Sequence, residues 1–162
     1  MNPISVIASE SDIPSEAEQQ YFQMNWEQYD DNQKKILNQI LIYELSEKLD
    51  VIVPEIIYFS NSIHNAYYNY GNHQLALNED NLDSAQDMYL SIYHEMRHVW
   101  QYQKAKNPQT QEDWMYKYNF DNYISGDIGY DIYSQQYIEI DAESYAEISY
   151  MNLIQFGLNS GM

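Results

Sequence analysis

His94-Glu95-Met96-Arg97-His98 is the stretch of this 162-residue chain whose residue types and spacing specify a chemistry. On a helix, histidines four positions apart share a face, so both imidazoles can reach one metal ion, and Glu95 between them is placed to handle a proton. The pattern arises by chance about once in a hundred chains of this composition, so the surroundings must support it. Residues 88–93 and 99–102 contain no Gly or Pro, and their apolar positions recur at three and four, as in an amphipathic helix. That periodicity sends Tyr89, Ile92, Tyr93, Met96, Val99 and Trp100 into a core and aligns Leu90, His94, His98 and Tyr102 on an adjoining stripe. The plain alternative, two satisfied histidines on an ordinary helix, carries less weight because the motif supplies paired ligands and an intervening acid together.

A tetrahedral catalytic zinc site needs a third protein ligand, leaving one position for water. Only His64 and His73 remain among histidines, and the residues after His98 lack the glycine and third histidine of a metzincin-type site. Residues 137–148 form an acidic and apolar run without breakers, which predicts a second helix carrying Glu139, Asp141, Glu143 and Glu147. Glu139 and Glu143 are four apart and share a face: one can ligate the metal while the other accepts the free N–H of a ligating histidine, in either order. Asp141 points elsewhere. Any one of these acids taken alone would more ordinarily belong to a solvated face.

These residues resemble the gluzincin zinc metallopeptidases, in the compact form of the minigluzincins and the ImmA/IrrE-like proteins of phages and mobile elements. That family carries H-E-x-x-H on one helix and a Glu-x-x-Ala-x-x-aromatic-Ala pattern on a second, matched here by residues 139–146. The resemblance, spanning roughly residues 55–150, implies that Glu139 is the third ligand of one Zn2+ and that Glu143 takes the place behind a histidine. It implies hydrolysis of a peptide or protein substrate with Glu95 as general base. One departure is Tyr137, at a position where close relatives carry proline. The family commonly runs a short edge strand past the cleft. Here residues 66–69, a turn at Tyr70-Gly71-Asn72 and residues 73–78 read as a strand pair able to hold an extended peptide. The expected fold is therefore α+β: a small zincin-like domain, mostly helical, with a short mixed or antiparallel sheet beside the motif helix.

Composition bounds the rest. The length suits a single domain over residues 16–160, after an acidic, mobile leader over 1–15. A first helix is expected from Glu16 to Trp26 and a stronger one from Asp31 to Leu49, striped by Ile36, Leu37, Ile40, Leu41, Tyr43, Glu44, Leu45 and Leu49. Residues 55–59 read as a buried strand. Asn81 to Ser84 supply a cap for the motif helix, which Pro108 ends, and residues 107–136 read as a rim or lid over the cleft or as a plain connecting loop. A net charge of -18 argues against nucleic acid or an anionic membrane as partner and favours basic partners or cations. No cysteine is present, so any zinc must use histidine and carboxylate. The first residues lack a basic, apolar signal, and a cytoplasmic protein is expected. His64 and His73 read first as surface or packing residues, with His73 the better placed to contact a transition state because it opens the expected edge strand. Tyr123, Tyr130, Tyr133 and Tyr137 are the tyrosines able to donate to an oxyanion. Two rival functions stand beside the peptidase: a catalytically inactive zinc protein acting with a regulatory partner, and an acidic module for a basic partner.

Overall fold

A computed structural model describes residues 13–61 and 63–161. The architecture is α+β, mostly helical with one three-stranded mixed sheet. Residues 1–12 of the expected leader lie outside the described residues. Its last residue, Ser15, caps α1 (Glu16–Gln19), accepting from the Glu18 N–H and donating to Glu44 Oε2 at 2.6 Å. The single helix expected over residues 16–26 is two, because the chain breaks between α1 and α2 (Gln23–Trp26) to bury Tyr21 and Trp26 together, their rings stacked at 4.7 Å.

Helix α3 (Asp31–Leu49) has the expected bounds. Asp30 and Gln33 form a reciprocal cap at its start, and Asp50, in the left-handed region at φ 52°, ends it. Its buried face keeps part of the expected stripe: Leu41 and Leu45 are buried and Leu37 and Leu49 pack on the core, Asn38 and Ile42 join them, and Ile36, Ile40 and Tyr43 are exposed. Apolar residues lie all round this helix, so periodicity alone could not select the face.

The sheet runs β1 (Glu55–Phe59), β3 (Gln74–Asn78), β2 (Ala66–Asn69) in spatial order, with β1 parallel and β2 antiparallel to β3. This corrects two expectations. The buried strand is β3, whose Leu75, Ala76 and Leu77 are fully enclosed; β1 lies at an edge and is only half-buried. The edge beside the motif helix is β2, since β3 pairs on both sides and has no backbone groups left for a peptide.

Helix α4 (Ala85–Lys106) carries the motif. Ser84 is its cap, accepting from the Asp87 N–H at 3.1 Å. Tyr89, Ile92, Tyr93, Met96 and Val99 are buried as expected, while Trp100 moves to a satellite cluster with Tyr116 and Ile138. Residues 107–136 are not a plain connecting loop: α5 (Gln111–Asp121) and the short α6 (Tyr130–Tyr133) occupy them, and part of the segment forms a rim. Helix α7 (Tyr137–Ser160) runs beyond the expected segment to a left-handed Gly161 at φ 71°. Among the described residues no helix is long and apolar enough to cross a membrane.

Trp26 ties the N-terminal helices to this core: it is fully buried, and its indole N–H donates to the Leu82 carbonyl at 2.7 Å. Trp26→Ala should lose about 3–5 kcal/mol in a urea titration, because it removes the ring and orphans that carbonyl.

Candidate metal centre

Helices α4 and α7 pack side by side, and their facing turns bring together His94, His98 and Glu139. His94 Nε2 lies 3.0 Å from His98 Nε2; Glu139 Oε2 is 3.3 Å from the first and 3.4 Å from the second. A tetrahedron with metal–ligand bonds of 2.0–2.1 Å has edges of about 3.3 Å, so the three atoms form a face of the size one zinc ion requires.

The hydrogen bonds behind these atoms fix what they present. Gln101 donates through Nε2 to the Ile138 carbonyl at 3.0 Å and to Asp141 Oδ2 at 2.7 Å, which leaves its Oε1 toward His98 Nδ1 at 2.8 Å. That oxygen can only accept, so His98 carries its proton on Nδ1 and turns a lone pair inward from Nε2. His94 Nδ1 faces Glu143 Oε2 at 3.4 Å, which favours the same tautomer. Glu139 Oε2 is buried and has no hydrogen-bond partner, while Oε1 accepts from Tyr123 Oη at 3.2 Å. Three lone-pair donors thus converge on one point in a buried place, an arrangement that is repulsive until a cation enters.

In metal-free protein a proton does this duty. Burial opposes charge on His94, but the facing carboxylates of Glu139 and Glu143, with Glu95 nearby, outweigh it and push His94 up to about 10 from 6.5. Burial likewise works against the Glu139 carboxylate, yet His94, His98 and Tyr133 hold it well below the usual carboxylate range. The His94 stabilisation is full below about pH 6.5 and is lost as pH rises toward 10; the Glu139 stabilisation is present above 4.5 and is lost in acid. Chelator-treated protein should therefore show a Tm that declines from near-neutral to alkaline pH. Zinc-saturated protein should escape the alkaline decline, because the metal replaces the proton. Calorimetric scans with and without chelator check this.

Glu95 is buried and lines the same cavity of about 660 Å³, bounded by β2, α4, α7 and the loop before α6. Of the other expected residues, Glu143 stands behind His94 and Tyr133 lines the cavity, its hydroxyl reaching Glu139. Two expectations are corrected. Tyr137 points away and donates to Glu112 Oε1 at 2.9 Å, because its place on the helix turns it toward Tyr116. His73 does not line the cavity: Tyr68 Oη lies 2.8 Å from its Nδ1 and the Ile52 carbonyl 3.1 Å from its Nε2, so it pins the β2–β3 turn. His64 lines the rim instead, reversing the order expected of the two.

The sequence reading missed Gln101 and the role of Asp141. Asp141 accepts from Arg97 Nε and Nη2 at 2.7 and 3.0 Å, from the Gln101 amide and from the Tyr116 hydroxyl at 3.2 Å. It does point away from the metal face, and from there it fixes the register of α7 against α4. Gln101 lies three residues after His98 on one helix, a spacing that could have drawn attention to it. Comparison with protein-family models, curated proteins and solved structures returns no match to this chain.

Proposed function

We propose that this protein is a zinc-dependent metallopeptidase in which His94, His98 and Glu139 hold one Zn2+ and Glu95 is the general base. The observation that carries the reading is the unpartnered, buried Glu139 Oε2 facing two histidine Nε2 atoms at tetrahedral-edge distances. The motif resemblance to compact gluzincins supports the same assignment. Bound zinc would acidify a water toward about pH 7 and polarise the scissile carbonyl.

The chain's own residues supply the remaining chemistry. Glu95, beside His94 in the cavity wall, takes the proton of the attacking water and returns it to the leaving amine. Glu143 and Gln101 orient the two imidazoles through their outer nitrogens. Edge strand β2 lines the cavity and offers an extended peptide unpaired backbone groups.

The test is metal content by mass spectrometry on untagged protein purified without chelator, followed by digestion of a mixed peptide library. About one zinc per chain with chelator-sensitive cleavage supports the proposal. No zinc after reconstitution would sink it and move weight to an acidic module for a basic partner. Zinc without cleavage of any peptide would favour the inactive, partner-dependent reading.

A further inference from the structure

Glu139 has two oxygens with different surroundings. Oε2 faces the histidines without a hydrogen bond, whereas Oε1 is taken by Tyr123, and the Tyr133 hydroxyl reaches the same carboxylate. These two tyrosines stand at the two ends of residues 123–133, the segment that forms the outer wall of the cavity through Tyr123, Ser125, Gly126, Asp127, Tyr130 and Tyr133. The wall is gripped at its base by Gln136, whose side chain accepts from the Ile124 N–H and donates to the Ile124 carbonyl, both at 2.8 Å. Between these points Ile128, Tyr130 and Ile132 are exposed. The wall is therefore fastened beside the first turn of α7, where Glu139 sits, and its middle projects into solvent.

We infer that Tyr123 and Tyr133 are positioning residues: Tyr123 takes Oε1 of Glu139 and Tyr133 restrains the same carboxylate from the wall, so that Oε2 is presented to the metal, and together they fasten the outer cavity wall to a metal ligand. A carboxylate with both oxygens unrestrained can turn to offer either or both. One whose Oε1 is held by a phenol O–H offers a single atom of fixed direction. The coupling is reciprocal: if the ordered wall favours the metal, the metal must order the wall by the same factor. The inference rests on the metal site proposed above and is independent of peptide hydrolysis.

The test compares wild type, the Tyr123→Phe/Tyr133→Phe double variant and Tyr130→Phe, an exposed tyrosine of the same wall. Three quantities are read: zinc affinity against a chromophoric chelator, the visible spectrum of the cobalt-substituted protein, and hydrogen exchange across residues 123–133 with and without zinc. Zinc should slow exchange of the wall in wild type and in Tyr130→Phe. The double variant should bind zinc roughly 10–100-fold more weakly, as expected for loss of groups behind a ligand, with an altered cobalt spectrum and no protection of the wall. If the double variant does not fold, Tyr123→Phe alone, which removes one hydrogen bond, should give a smaller loss in the same direction. Wild-type affinity and an unchanged spectrum in the folded variant would overturn the inference, as would zinc binding that leaves wall exchange unaltered. Failure of the wild type to bind zinc would remove both this inference and the metal site. Wall protection without cleavage of any peptide would support the inference and remove only the peptidase assignment.

Discussion

Glu95→Gln protein should bind one zinc per chain as the wild type does and lose peptide hydrolysis by at least about 10²–10⁴-fold, the range of a general base. Glu95 is not part of the His94, His98 and Glu139 group, yet it is enclosed in the wall of the same cavity. Glutamine keeps its shape and removes its ability to accept a proton. Zinc content by mass spectrometry and initial rates on a library-selected peptide measure the two halves separately. Retained hydrolysis would eliminate Glu95 as the base. Loss of zinc would mean that Glu95 supports the metal and that the assignment of roles is wrong.

Glu139→Ala should abolish stoichiometric zinc, whereas Glu143→Ala should only weaken it. Glu139 is the carboxylate whose oxygen lies 3.3 and 3.4 Å from the two Nε2 atoms and is otherwise unpartnered. Glu143 is largely exposed and touches His94 from the opposite nitrogen, so its removal should cost roughly 10–100-fold in affinity, as for other groups behind a ligand. Thermal shifts provide a second readout. A ligand at a hundred times its Kd stabilises by about 2.7 kcal/mol, so zinc should raise the Tm of wild type and, at higher concentration, of Glu143→Ala. It should leave that of Glu139→Ala unmoved. If Glu143→Ala loses the metal and Glu139→Ala keeps it, the two roles are exchanged.

What could be read from the chain depended on whether one helix or several elements carried the signal. The motif helix was legible because its periodicity, a nearby cap at Ser84 and Pro108 all agreed, and five of its six expected core residues are buried where the spacing put them. Helix α3 was legible in extent and only in part in orientation, since the choice of face is made by what packs on it. Helix α5 was missed although Thr110 and Asp113 form a capping box two residues after Pro108; its Tyr and Asn content hid a start signal that was present. His73 was overvalued because strand order cannot be inferred from two adjacent strands. Once β3 pairs on both sides, the turn that holds His73 lies away from the cavity.

By itself the sequence determined the local chemistry: two imidazoles and an acid on one helix, two further acids sharing a face of another, and no thiol to compete for a metal. Helical spacing is a short-range property of the backbone, so these relations hold wherever the helices go. Only the tertiary structure decided which carboxylate meets the histidines. The register of α7 on α4 is set by Asp141 gripping Arg97 and Gln101 across the interface, and that register aims Glu139 between the rings and leaves Glu143 at the rim. The tyrosines on Glu139 likewise come from a segment whose path no periodicity encodes, because it is fastened by individual side-chain hydrogen bonds with Gln136 and Glu139.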